Sequence, residues 1–349
     1  MNKKVAIIIS PNYKDYAKKY LVEFVAGLKK QDYAGEMKIF ITDNESTTES
    51  YEYLKSILSA AEIWRNEKND GFAKGNNDCL KLALAQGFEY LILFNMDTVA
   101  KADALRKMVA VADNSEKIGA VQARLMLYNN KNKINSLGNV THFLGFGYAG
   151  GYGEEYRGVA GKEICYPSGA AVLFTKQALE KVGLFDEDMW MYNEDQDLGW
   201  RLWLSGFKCV IAPEAVVYHK YEFARSLRQY YFMDRNRMLA MLKNYYWATL
   251  LLIFPAWLIM EIGLIFFAAV GGWFKEKMKV YKYFLNFKNW QRLLAKRKKI
   301  QSARIVKDKE IIKLFSGKIW YQEIGDLKLK IANVFFSIYW QIAKVLLRW

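Results

Sequence analysis

VAIIIS, residues 5–10, is a continuous apolar run closed by a serine, with no alternation to divide it into a wet and a dry face. Such a strand is buried on both sides, as the strands of a parallel sheet are. Outward from it the pattern repeats. Residues 16–30 carry Leu21, Phe24, Val25 and Leu28 at helical spacing, and 38–42 and 61–65 read as further strands. A helix at about 76–86 leads into a fourth strand, 90–94. Strand–helix units of this size predict an α/β fold with a doubly wound, mostly parallel sheet. Each strand runs into a polar cluster: SPN (10–12), DNES (43–46), the stretch 69–77, and NMDT (95–98). Ligands of open α/β sheets sit beyond the carboxyl ends of the strands, so these clusters mark the expected site edge.

A second group lies between residues 165 and 221. PSGA (167–170) is a tight turn before the short apolar strand 171–174. Glu194, Asp195 and Asp197 open a helix expected over 194–205 and ended by Gly206. Acids in a first turn suit the helix dipole without any chemistry, and Asp197 stands four residues before Arg201, close enough to pair. His219 closes the apolar segment 209–218 after an expected turn at Pro213. Turn, acid cluster and strand-end histidine are expected to face one cleft.

Composition bounds the remaining classes. A chain of 349 residues, 25% charged and 52% hydrophobic, holds one large domain with an appendage or two domains. The three cysteines show no metal spacing, which fits reduced core residues and a cytosolic face. The apolar run behind Met1 is too short for the core of a signal peptide. Gly71 and Gly75 match neither the dinucleotide fingerprint nor the P-loop, which argues against simple dehydrogenases and P-loop kinases.

Taken together, SPNY (10–13), TDNES (42–46), NDGFAKGNN (69–77), FNMDT (94–98), YNEDQDL (192–198) and His219 resemble family 2 inverting glycosyltransferases of the GT-A fold. Within that family the resemblance is to the rhamnosyltransferase-like branch of bacterial cell-surface polysaccharide synthesis. It covers about residues 4–245, and Asn95 replaces the first acid of the usual D-x-D motif. The resemblance implies transfer of a sugar from a nucleotide-diphosphate donor to an acceptor, which is expected to be a lipid-linked saccharide. It implies a divalent cation, Mn²⁺ or Mg²⁺, held by Asp97 and His219, the histidine favouring Mn²⁺. It implies a donor pocket of Ser10, Asn12, Asp43, Asn44, Asn69, Gly71, Asn95, Ser168 and Gly169. Asp195 is then the expected base, with Glu194 as its substitute and Asp197 bridging to Arg201 or the acceptor. A non-catalytic sugar-nucleotide- or polysaccharide-binding subunit is the rival reading, and a nucleotidyltransferase a weaker one.

The C-terminal part needs its own account. Residues 271–349 hold 19 Lys and Arg against five Asp and Glu, which leaves the rest of this +15 chain near neutral. The expected division is a catalytic domain over 1–243, with a nucleotide-sugar half of about 1–110 and an acceptor half of about 111–243, followed by an apolar and basic membrane-association module, 244–349. The glycine-rich stretch 145–161 reads as a mobile loop over the site, and His142 at its edge has no assigned role. In the basic, aromatic segment 226–243, Arg228, Arg235 and Arg237 are candidate diphosphate contacts. Residues 244–274 contain one charge, Glu261, together with Pro255 and Gly263, and are expected to dip into one leaflet as a helical hairpin. The close, IANVFFSIYWQIAKVLLRW, has the pattern of an interfacial helix. Anionic membrane on the cytoplasmic face, rather than nucleic acid, is the expected partner of this module.

Overall fold

The computed structural model describes residues 3–222, 227–319 and 327–349, with backbone alone for 327–330. Two compact units emerge. The first holds residues up to Asn139, Ala149–Leu202 and Phe207–Glu222; the second holds Val140–Tyr148, Trp203–Gly206 and the chain beyond Glu222.

In chain order the first part runs β1 (Val5–Lys14), α1 (Tyr16–Leu28), β2 (Met37–Ser46), α2 (Thr48–Ile57), β3 (Glu62–Asn66), α3 (Gly71–Ala85) and β4 (Tyr90–Phe94). It continues with β5 (Thr98–Ala100), α4 (Ala104–Ala112), β6 (Ile118–Leu127), β7 (Ile134–Ser136), β8 (Asn139–Thr141) and β9 (Gly147–Ala149). Then come β10 (Ala171–Thr175), α5 (Lys176–Val182), α6 (Glu194–Leu204) and β11 (Lys208–His219). The sheet order is β3-β2-β1-β4-β10-β6-β11-β5. Strands β1 to β4 pair in parallel, as do β6 and β11, and β10 joins the two blocks as an antiparallel strand between β4 and β6. The unbroken apolar runs lie where burial on both faces requires them: Val5 to Ile9 and Tyr90 to Phe94 are at most 2% exposed. Leu21, Phe24, Val25 and Leu28 of α1 are buried on one side of this sheet.

Several expectations change in detail. Strands β1 and β2 do not stop at their apolar runs but continue through the polar clusters, with register shifts that leave Asn12 opposite Asp43. Helix α3 starts at Gly71, five residues before the expected start, because Gly71 takes a positive φ of 85° that lets the backbone turn directly into the helix. Pro213 makes no turn. It sits inside β11 at the register shift between Ala212 and Val216, where an irregular strand tolerates the missing donor. Within the glycine-rich stretch, Gly147–Ala149 is ordered as β9 and pairs with β8.

The second unit is helical: α7 (Leu227–Asn244), α8 (Trp247–Val270), α9 (Phe274–Leu285), α10 (Phe287–Ala303), α11 (Asp308–Ile311) and α12 (Leu327–Leu346). Ser226, the expected first residue of the segment that became α7, lies outside the described residues. The expected hairpin over 244–274 is instead one continuous 24-residue helix, α8, with Pro255 inside it. Glu261 is not stranded in apolar surroundings, which removes one reason for a break. It pairs with Arg237 of α7 and with Lys277 of α9 at 2.6 Å, while Asp234 pairs with the same Arg237 and Lys277, the latter at 2.7 Å. All four side chains are buried. Arg237, a candidate diphosphate contact, is therefore committed to this cluster and to the Leu144 carbonyl. His142 is wholly buried among Phe143, Phe146 and Phe336, and burial pushes its imidazole down to about 3, so the ring is neutral.

Candidate functional site

The site assembles at the carboxyl ends of β1, β2 and β4. Asn12, 0% exposed, donates from Nδ2 to Asp43 Oδ1 at 2.8 Å and to Ser50 Oγ, while its Oδ1 accepts from Ala17 N at the start of α1. Asp43 is also fully buried. Its Oδ2 takes part in no hydrogen bond and lies 3.3 Å from Arg65 Nε. Ser10 Oγ accepts from Met96 N, tying the end of β1 to the loop after β4.

Next to this, Asn44 Nδ2 donates to Gly71 O at 2.9 Å, and Asn69 Oδ1 accepts from Gly71 N at 3.0 Å. Two glycines make the close approach possible. A Cβ on Gly71 would meet Trp190 at 2.5 Å, and one on Gly75 would lie 2.4 Å from Pro11. Asn69, Asn44 and Gly71 thus form one hydrogen-bonded rim, with Asp43 and Asn12 beneath it.

The acidic helix faces the turn before β10. Ser168 N donates to Gln122 Oε1 at 2.7 Å, Ser168 Oγ accepts from Ala170 N, and Gly169 N donates to Asp195 Oδ2 at 3.3 Å. Asp195 Oδ1 also accepts from Gln196 N at 2.8 Å. The loop leading into α6 holds three non-glycine residues at positive φ, Trp190, Tyr192 and Asn193, an arrangement that costs free energy and is typical of functional loops. Burial is the largest cause that pushes Asp195 up to about 6, and burial followed by the Asp195 charge holds Glu194 well above the carboxylate range. Glu194 Oε2 is buried without a hydrogen-bond partner. Asp197 is differently placed. It is 0% exposed and accepts from Arg201 Nε at 2.9 Å, while Arg201 also donates to the Val182 and Leu184 carbonyls. Asp197 therefore orients an arginine that fastens the chain after α5.

Asp97 and His219 come together through the sheet, since His219 of β11 stands opposite Thr98 of β5. His219 Nε2 lies 3.3 Å from Asp97 Oδ1, an atom with no hydrogen bond, and His219 Nδ1 lies 2.9 Å from Asn135 Oδ1. Donation of Nδ1–H to Asn135 fixes one ring nitrogen and leaves Nε2 facing the carboxylate oxygen. A histidine nitrogen facing an unsatisfied carboxylate oxygen, with Asn95 Oδ1 two residues before Asp97 in sequence also buried and unpaired, fits the kind of donor set a divalent cation would satisfy. Among the described residues no group of three or more His, Cys, Asp and Glu could hold a metal by itself, so a cation here would need oxygens from its substrate. Burial, then the Asp97 charge, raises the Tyr16 phenol well above its usual range and keeps it a donor.

Arg228 and Arg235 belong to the second unit, where Arg235 is buried against the rings of Tyr231, Phe232 and Tyr283. Sequence reading missed three supporting residues, Asn135, Gln122 and Trp190. Each is far in sequence from the residue it supports, and no local pattern marks it.

The profile described as glycosyltransferase like family 2 matches residues 3–238. The poly-β-1,6-N-acetyl-D-glucosamine synthase of Staphylococcus epidermidis is 31% identical over 150 residues, 43% of this chain and 34% of that protein. The Staphylococcus aureus synthase of the same name is 28% identical over the same shares. The chain thus spans about a third of the length of these curated relatives. Among solved structures, S. aureus TarS 1–349 in complex with UDP has a TM-score of 0.51 at 15% identity, covering 98% of this chain and 90% of that one. GalNAc-T7 with UDP, GalNAc and Mn²⁺ has a TM-score of 0.53 at 14% identity, covering 68% and 48%. These likenesses establish the fold.

Proposed function

The chain belongs to glycosyltransferase family 2, and from that premise we propose that it is an inverting enzyme moving a sugar from a nucleotide-diphosphate donor to a lipid-linked saccharide acceptor in cell-surface polysaccharide synthesis. The observation that carries the reading is the convergence of Asp195 on the Ser168–Gly169 turn beside a strand-end rim of Asn12, Asp43, Asn44 and Asn69. In the proposed reaction the acceptor hydroxyl attacks the anomeric carbon opposite the leaving diphosphate. The new C–O bond forms as the bond to phosphate breaks, and the hydroxyl proton passes to Asp195. A carboxylate whose pKa is near 6 is ionised at neutral pH yet basic enough to help, which suits a general base. Inversion follows from one displacement without a protein nucleophile.

Asp43 and Asn44 would hold the nucleoside, with Asp43 Oδ2, which accepts no hydrogen bond and faces Arg65, placed to accept from a base N–H. Asp97 and His219 would hold a divalent cation, whose charge relieves the leaving diphosphate when it is bound. The N-acetylglucosamine synthases among the relatives favour an N-acetylhexosamine as the donor sugar, with the rhamnosyl branch as the alternative. The proposed location is the cytoplasmic face of the cell membrane, where a lipid carrier is within reach.

A thermal-shift panel of UDP-, GDP- and dTDP-sugars, with and without Mn²⁺, tests the donor. Stabilisation by one nucleotide class, followed by donor turnover in the wild type and not in Asp195→Asn, supports the enzyme. Binding without any turnover, with a range of saccharide acceptors, moves the chain to the binding-subunit class.

A further inference from the structure

We propose that α8 is an in-plane membrane anchor which lies along one leaflet and does not cross the bilayer. This deepens the membrane-face reading above and rests on it. By length and composition α8 qualifies to span: 24 largely apolar residues, about 36 Å at the α-helical rise. Its packing argues otherwise. Thr249, Ile253, Ala256, Glu261 and Ala268 are buried, so the helix is covered at positions from its first turn to its last. Part of that cover is charged and resists entry into hydrocarbon. Glu261 near the middle is held by Arg237 of α7 and Lys277 of α9, with Asp234 completing the cluster. Crossing a bilayer would require α8 either to abandon these partners and carry a bare carboxylate, or to drag polar helices in with it.

The opposite face is open along its whole length. Leu251, Phe254, Leu258, Ile262, Phe266 and Val270 are between 46% and 91% exposed. Helix α12 lies beside α8, with Tyr339 donating to the Leu252 carbonyl and Trp349 to Thr249 Oγ1. It carries its own exposed stripe, including Ile331, Ile338, Ile342 and Val345, while Phe336, Trp340 and Ala343 are buried. Apolar area of this extent on adjoining helices marks an interaction surface. Charge identifies the occupant. Exposed Lys275, Lys282, Lys288, Lys298 and Lys299 belong to the same helical unit, so the complementary partner is apolar inside and anionic at its surface, as a leaflet of acidic lipid is.

The test places a single cysteine at Leu251, Leu258 or Val270 of the full chain, all on the exposed face, and labels it with an environment-sensitive fluorophore. The native cysteines are all buried. Each labelled protein is floated with vesicles of phosphatidylcholine and phosphatidylglycerol, and depth is read with lipids brominated at shallow or deep positions. An in-plane helix gives the same shallow depth at all three positions, and an impermeant reductant added outside bleaches all three. A deep Leu258 between two shallow ends, with one end protected from the reductant, overturns the proposal and leaves membrane attachment standing. Failure to float, or an apolar face covered by a second copy of the chain in solution, overturns both.

Discussion

Asp195 is where the chemistry and the stability of the site pull in opposite directions. If it takes the acceptor proton, Asp195→Asn lowers turnover by about 10²–10⁴-fold while donor affinity persists. The pH profile has a definite sign: kcat/KM rises with pH through about 6 as the carboxyl ionises. Stability runs the other way. A carboxyl raised to about 6 in the folded chain, against about 3.9 in the unfolded one, contributes stability that is present below pH ~4 and lost as the pH rises through about 6. Asp195→Asn should therefore melt higher than the wild type at pH 8 and close to it at pH 4, by calorimetry at both values. An unchanged difference at the two pH values would place Asp195 in ordinary solvent. At the cation site, Asp97→Ala and His219→Ala should each abolish Mn²⁺-dependent donor binding. Asn135→Ala, which touches only the far side of the histidine ring, should weaken it about 10–100-fold, measured by titration calorimetry. The polar residues at strand ends were legible in sequence because a strand end is a strong signal. Asn135 was not, since it lies 84 residues from the histidine it orients.

At the scale of elements, the helices around the site are held by close approach and by one buried ion pair. Gly75→Ala puts a methyl 2.4 Å from Pro11 and 3.0 Å from Asn44, forcing α3 away from β1. A loss of about 1–3 kcal/mol is expected from such overpacking, with weakened donor binding as well, by urea denaturation and donor titration. Asp197→Leu leaves Arg201 buried without its carboxylate and should cost about 3–5 kcal/mol, a stability defect first and an activity defect only through it. Strands β1, β4 and β10 were plain in the sequence because burial on both faces writes a continuous apolar run. Helix α2 was not: its ten residues bury only Ser50 and Leu54, so no apolar stripe announces it, and its start depends on the Thr47 cap. For α8, Pro255 and Glu261 pointed to a break. The partners that make Glu261 acceptable come from α7 and α9, which a local reading does not bring together.

Across the whole molecule, the catalytic reading and the membrane reading belong to separate units and separate tests. Full-length protein should float with anionic vesicles at low salt and remain bound at high salt, because the apolar faces of α8 and α12 are not screened as the lysines are. Release by salt alone would assign attachment to charge. Cutting the chain after Lys243 would remove Glu261 and Lys277 from Asp234 and Arg237, so it alters the packing of α7 as well as membrane attachment. Inverting sugar transfer by this family 2 chain would be written in the anomeric configuration of its product. With the donor identified by the thermal-shift panel and a saccharide acceptor, proton NMR of the isolated product should show a glycosidic bond of the opposite anomeric configuration to the donor, formed by the wild type and lost in Asp195→Asn. A product that retains the donor's configuration would contradict the single displacement, and with it the role given to Asp195.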